Sequence, residues 1–157
     1  CDHKIIGEIH NKGDSDNFYY SNDEFELSLC LKKSNYKNKN STNLDMWNAA
    51  NKILGILNLD KSDSGKFRPL EINFDKQRVS FEKGCFRGQE IVARMKYLGI
   101  DRRKFCTFIV KNDYVENNLI NSIGEIINLD DKKVFNGIVK KDDIEEVEKI
   151  PGIISIL

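Results

Sequence analysis

The clearest periodicity in the chain lies over residues 24–31, where Phe25, Leu27, Leu29 and Leu31 alternate with Glu26, Ser28 and Cys30. A period of two sends successive side chains to opposite faces, so this segment is expected to be a half-buried strand with Cys30 on its polar, partly exposed side. Residues 4–10 and 17–20 are short β-prone runs separated by Asn11, Gly13, Asp14 and Ser15, a turn composition that predicts a hairpin. Residues 32–41 are lysine, asparagine and serine around Tyr36 and have no period, as a solvated loop would. A helix is predicted next, with Thr42 as its cap and Asp45 three residues on. Met46, Ala50, Ile53, Leu54 and Leu57 form its apolar stripe, and Gly55 is expected to end it near Leu57.

Residues 58–81 have loop chemistry, with a turn at Ser62, Asp63, Ser64 and Gly65 and with Pro69 holding Arg68 extended. Phe67, Leu70, Ile72 and Phe74 anchor this connection, and Val79, Ser80 and Phe81 are predicted to form a short strand. A helix is expected to begin near Gly88. Beyond it the chain reads as β-rich: strands over 105–110, over 123–129 with Gly124 inside, over 134–139 split by Asn136 and Gly137, and over 153–157. The acidic run 142–148 reads as a short helix or loop. The expected class is α+β, an antiparallel sheet with helices over 1–103 followed by a small β-barrel-like domain over 104–157.

Composition narrows this only slightly. The 157 residues carry 25 basic and 25 acidic side chains, a balance that forces neither nucleic-acid nor membrane binding. No run of 18 apolar residues exists and no apolar signal core follows Cys1, so a soluble, cytoplasmic protein without membrane association is expected. A start at Cys1 rather than Met implies residues upstream. The four cysteines are unevenly spaced, with no Cys-x-x-Cys pair, which predicts neither a disulfide framework nor a metal site. Lys32, Lys33, Lys37 and Lys39 lack accompanying arginines and stacking aromatics, so direct RNA binding is not expected.

The candidate chemistry centres on residues 83–94, Lys-Gly-Cys-Phe-Arg-Gly-Gln-Glu-Ile-Val-Ala-Arg. Gly84 and Gly88 bracket Cys85 in what reads as a shaped loop entering a helix. Helix-start amides with Lys83, Arg87 and Arg94 would favour a thiolate. A cysteine filling space beneath the helix is the other reading, and the residues leave both open. Glu90, in the first turn, can satisfy the helix dipole. Trp47 reads either as core or as a flat wall of a ligand pocket. Arg68 and Glu71 are polar candidates that an ordinary surface or salt-bridged role would also explain.

The run from Lys83 to Arg94 resembles the signature of the YgfZ family, Lys-Gly-Cys-Tyr/Phe-x-Gly-Gln-Glu with Ala-Arg close behind. The resemblance extends upstream through Trp47, Gly65, Phe67, Pro69 and Asn73-Phe74-Asp75, and downstream to Arg102-Arg103-Lys104. YgfZ proteins are folate-binding relatives of the glycine-cleavage aminomethyltransferase, the T-protein, linked to tRNA modification and iron-sulfur enzyme maintenance. The resemblance therefore implies a T-protein-like fold and a folate-binding accessory protein that takes tetrahydrofolate or a one-carbon derivative. It implies Cys85 as the functional thiol, with Lys83, Gly84, Gly88, Gln89 and Glu90 completing the signature. Trp47 is the folate contact that the resemblance implies; Glu71 or Arg68 suits the hydrogen-bonding edges of the pterin, and Arg94, Arg102 or Arg103 the anionic glutamyl tail. The implied partners are iron-sulfur assembly proteins or their client enzymes.

A folate-dependent aminomethyl transferase is the alternative, and an interaction module for RNA or iron-sulfur assembly proteins a third. Family members are about twice as long as this chain, so the chain is expected to hold only one wall of the pocket, with residues before Cys1 contributing to the rest. Leu70 stands where a polar residue is common, and the tail after Phe105 is short for the family's C-terminal barrel.

Overall fold

The first sheet is built from β1 (His3–Asn11), β2 (Tyr20–Ser21) and β3 (Phe25–Lys33), in the order β1-β3-β2. These belong to a computed structural model that describes residues 3–13, 20–37, 43–59, 61–76, 78–85, 87–99 and 102–157. The chain is α+β with two antiparallel sheets and few helices, and it divides into two compact units, Cys1–Ile56 and Leu57–Leu157.

β1 runs antiparallel to β3 along its whole length, with Ile5 opposite Leu31, Gly7 opposite Leu29 and Ile9 opposite Leu27. The expected pairing of residues 4–10 with 17–20 is therefore replaced: β3 lies between β1 and β2. A nine-residue partner matching apolar to apolar positions outcompetes a two-residue strand. Residues 17–19 lie outside the described residues.

The helix α1 (Leu44–Ile53) starts at Asn43, whose Oδ1 accepts the Met46 N–H at 2.9 Å. Thr42, the expected cap, lies outside the described residues. The helix stops one turn short of Leu57. Gly55 adopts φ +71°, its N–H meets the Lys52 carbonyl, and the Ile56 N–H meets the Asn51 carbonyl. This pair of reversed bonds closes a helix when glycine follows its last turn. Leu27, Ala50 and Ile56 form the buried core of this unit, with Tyr20, Phe25, Trp47 and Leu54 packed around it.

In the second unit, single helical turns at Lys61–Asp63, Pro69–Ile72 and Phe74–Lys76 carry the chain toward α2 (Gln89–Leu98). No strand forms at residues 79–81, because the Arg78 and Val79 N–H groups both turn back to the Phe74 carbonyl. α2 begins after Gly88, as expected, and ends at Gly99.

β4 (Arg103–Lys111), β5 (Asn121–Asn128), β6 (Lys132–Lys140) and β7 (Ile153–Ile156) form the second sheet in the order β5-β6-β4-β7. Its two faces are both covered. On one, Cys106, Phe108, Val110, Phe135 and Val139 pack with Ile120 and with Val147 of α3 (Ile144–Val147). Phe108 and Phe135 stack with ring centroids 5.1 Å apart. On the other, Phe105, Ile123 and Ile138 meet Leu57 and Ile72, flanked by Phe67 and Phe74.

β6 runs unbroken through Asn136 and Gly137, which were expected to split it. Asn136 is fully buried and its Nδ2 donates to Thr107 Oγ1 at 2.8 Å on the neighbouring strand. A Cβ on Gly137 would stand 2.9 Å from Ile120 Cγ2 and 3.2 Å from the Asn121 carbonyl, so this glycine permits close packing rather than a turn. No helix among the described residues is long and apolar enough to cross a membrane.

Candidate functional site

Pro69 disfavours helical geometry at the residue before it, and Arg68 is accordingly extended (φ −84°, ψ 146°). The turn beginning at Pro69 brings Glu71 back under Arg68, where Glu71 Oε2 accepts the Arg68 backbone N–H at 3.0 Å. The other oxygen, Oε1, stands 3.6 Å from Arg103 Nη1. Glu71 is only 9% exposed, and a carboxylate that deep requires such partners.

Around this pair lies a cavity of about 430 Å³. Gly65, Lys66, Phe67, Arg68 and Glu71 form one side of it, Met95 of α2 contributes an apolar patch, and Arg102 and Arg103 complete the rim. The Gly-x-Phe-x-Pro element, the signature helix and the basic 102–103 pair, separate in sequence, thus meet at one place. Among the described residues four cations and one carboxylate line the cavity, a surplus suited to an anion. Met95 and Lys66 were not among the expected site residues. Met95 could have been found from its spacing with Val92, since the two are the buried positions of α2 three residues apart.

Cys85 is exposed, as are Lys83, Arg87 and Gly88 around it. Exposure removes the reading of Cys85 as filler beneath the helix. Lys96 on α2 places its Nζ 3.3 Å from the Phe81 ring centroid, tying the chain just before the signature to the signature helix. Glu90 and Arg94, also in the signature, form an exposed ion pair of 2.8 Å one turn apart. Gln89 opens the helix.

Trp47 belongs to the first unit. Its indole lies on Gly7 of β1, with Cζ3, Cε3 and Cη2 2.8 to 2.9 Å from where a Cβ would stand. Any side chain there would displace the ring. Asn51 Nδ2 donates to the Trp47 carbonyl at 2.7 Å, and the ring borders an open groove of about 1010 Å³ that also includes Glu8, Leu29, Tyr36 and Asn43. On the opposite face of β3 from Leu29, His10 Nε2 is 2.9 Å from Ser28 Oγ, and the partly exposed Cys30 thiol is 3.4 Å from Glu8 Oε2. Arg68, Glu71, Cys85 and Arg94 belong to the second unit.

No protein-family model matches the chain. A protein of Haemophilus influenzae, itself uncharacterised, is 33% identical over 114 residues, which is 70% of this chain and 40% of that protein. The tRNA-modifying protein YgfZ of Klebsiella pneumoniae is 39% identical over 66 residues, 41% of this chain and 20% of that protein. The YgfZ of Escherichia coli is 40% identical over 62 residues, covering 39% of this chain and 19% of its own length. The chain thus spans well under half the length of the curated relatives it matches. These matches support a YgfZ-like relationship.

Proposed function

We propose that this chain is a folate-binding, YgfZ-like accessory protein acting in tRNA modification and iron-sulfur enzyme maintenance. The observation that carries the reading is the convergence of Phe67, Arg68, Glu71, Met95, Arg102 and Arg103 on one cavity beside the signature helix. Tetrahydrofolate, or a one-carbon derivative, combines a flat ring rich in hydrogen-bonding edges with an anionic tail. An apolar surface from Phe67 and Met95 suits the ring, and Glu71 retains lone pairs for it beyond those facing the Arg68 N–H and Arg103. Arginine forks suit the tail carboxylates.

In this reading Arg94 supplies a further cation on the signature helix, and Cys85 within Lys83, Gly84, Gly88, Gln89 and Glu90 the functional thiol. The β-rich part from residue 104 corresponds to the barrel-like domain of the T-protein class. Iron-sulfur assembly proteins or their clients are the partners, in the cytoplasm. Support for the reading comes from the names of the YgfZ relatives together with this cavity. The aminomethyltransferase alternative gains no support: Glu71 faces the Arg68 N–H and Arg103, and Glu90 is paired with Arg94.

Titration of the full-length protein with tetrahydrofolate, followed by calorimetry, is expected to give saturable binding that weakens at least tenfold in Arg103→Ala. The loss reflects the removal of a charge-assisted contact worth about 1.5–3 kcal/mol. Absence of binding would overturn the proposal. Cys85→Ala should fold normally yet fail in a cell-based tRNA-modification assay, whereas wild-type performance would remove the thiol from the mechanism.

A further inference from the structure

We infer that a second cavity, on the β-rich part of the second unit, binds a small organic cation: an alkylguanidinium whose apolar arm enters the cavity and whose planar head sits at its rim. The inference is independent of the folate reading. The cavity has a volume of about 340 Å³ and lies between the connection from β4 to β5, β5 itself and β6. Its floor is apolar, with Phe135 of β6 and Ile120 buried and Ile126 of β5 partly buried.

The connection is folded to hold that shape. The Leu119 N–H donates to Asn117 Oδ1 at 2.9 Å and the Ile120 N–H to the Asn117 carbonyl at 3.0 Å, closing a tight turn just before Ile120. At its other end the Tyr114 N–H donates to the Lys111 carbonyl at 3.1 Å. Gly152, at φ +91°, approaches so closely that a Cβ there would stand 3.3 Å from both Cα and Cβ of Tyr114. The partly buried Tyr114 ring is thereby seated 5.9 Å from Phe135 at a tilt of 33°.

Glu116 is the single charged side chain lining this cavity among the described residues, in a chain with 25 basic residues. Burial pushes the Tyr114 phenol above its ordinary value of 10.0; an Asn117 backbone hydrogen bond opposes the rise and the Glu116 charge adds to it. The phenol therefore stays neutral near pH 7 and the lining carries a net negative charge, the opposite sign to the cavity at Arg68 and Arg103. Such a field attracts cations and repels phosphates and carboxylates. The rim supplies acceptors, all on exposed residues: the Glu116 carboxylate, the amide oxygens of Asn118 and Asn121, and the Ser122 hydroxyl. A guanidinium carries five N–H donors in one plane, enough to serve several of these at once, and its flat face stacks on an aromatic ring such as Tyr114. An ammonium is a more strongly hydrated point charge and gives up more on leaving water. A short alkyl arm meets Ile120, Ile126 and Phe135.

The test is a nuclear magnetic resonance titration of the full, isotope-labelled chain with n-butylguanidinium, n-butylammonium and n-butylurea, the last a neutral isostere of the first. Butylguanidinium should saturate with a Kd on the order of 1 mM, as its few heavy atoms allow, and should shift residues 114–126 and 135. Butylurea should bind about fivefold more weakly, and butylammonium should fall between the two. Glu116→Gln, a substitution at an exposed position, should weaken butylguanidinium about threefold and leave butylurea unaffected. Tyr114→Leu should weaken butylguanidinium about threefold as well.

Equal affinity for butylurea and butylguanidinium overturns the inference, because charge is then not what the cavity reads. Wild-type affinity in Glu116→Gln, or shifts that fall outside these residues, overturns it too. The peptide acetyl-Gly-Arg-Gly-amide separates the two sources of a guanidinium. An affinity matching that of butylguanidinium assigns the site to an arginine side chain displayed by a protein, and a much weaker one to a free small molecule; both sustain the cation site.

Discussion

In the three-stranded sheet Leu27 is sealed while Leu31, on the same face of the same strand, is 68% exposed. In the four-stranded sheet Val134 to Val139 are buried without a break. The difference does not lie in the strands' apolar content. It lies in what covers them. α1, at ten residues, is about 15 Å long. A nine-residue strand such as β3 extends for about 30 Å, so one helix of that length covers roughly half of its face even when aligned with it. The second sheet has α3 and Ile120 on one side and the 57–74 segment on the other, which leaves few positions on β4 and β6 facing water. Polar residues inside such a sheet must pair across strands, as Asn136 does with Thr107.

The strongest way to break this contrast is to truncate one apolar residue in each sheet. Phe108→Ala removes a fully buried ring stacked on Phe135 and should cost about 3–5 kcal/mol. Leu31→Ala should fall within about 0.5 kcal/mol of the wild type. Urea unfolding monitored by far-ultraviolet circular dichroism gives both values. A loss of several kcal/mol in Leu31→Ala would mean that the bare end of the first sheet is covered in solution.

A smaller effect sharpens the comparison at the covered end of the first sheet. Gly7→Ala would place a methyl group 2.8 to 2.9 Å from three atoms of the Trp47 indole, with the ring unable to swing aside as the tip of a flexible chain could. The expected cost is about 1–3 kcal/mol. Trp47 is the chain's single tryptophan, so a red shift of the protein's emission reports displacement of this indole. Unchanged emission would show that the indole does not rest on Gly7.

These two sheets also mark how much was legible in the sequence. The strict alternation of residues 25–31 identified β3 and its two faces. It could not give burial, because Glu26 and Ser28 on the polar face are buried while Leu29 on the apolar face is half exposed. Asn136-Gly137 carried the composition of a turn, and only the packing of Ile120 and Phe108 against Gly137 reveals why a glycine is needed inside a strand. Val79-Ser80-Phe81 had strand composition without a partner strand to pair with. In the candidate site, the motif residues 65–71 and the arginines at 102–103 were recognisable one by one. Their meeting around Glu71 was not, since nothing local records that β4 begins beside the turn at Pro69.

The smallest expected effect concerns the thiols, which sample both sheets. Cys30 on β3 is partly exposed, whereas Cys106 on β4 is 1% exposed in the core. Burial pushes the Cys106 thiol above its ordinary value of 9.0, opposed in part by the charge of Lys104. The folded state therefore prefers the protonated thiol. Its contribution to stability is fully present below pH 9.0 and is lost as pH rises through the higher folded value, so stability should begin to fall above about pH 9. Cys106→Ala removes this dependence along with some packing, and its stability curve should be flatter above that pH. At pH 8, iodoacetamide followed by peptide-resolved mass spectrometry should label exposed Cys85 first and Cys30 next. Cys106 should react only at the rate at which the second sheet opens, because both its thiolate fraction and its access are suppressed in the folded state. Labelling of Cys106 at the rate of Cys30 would mean that the second sheet is no better sealed than the first.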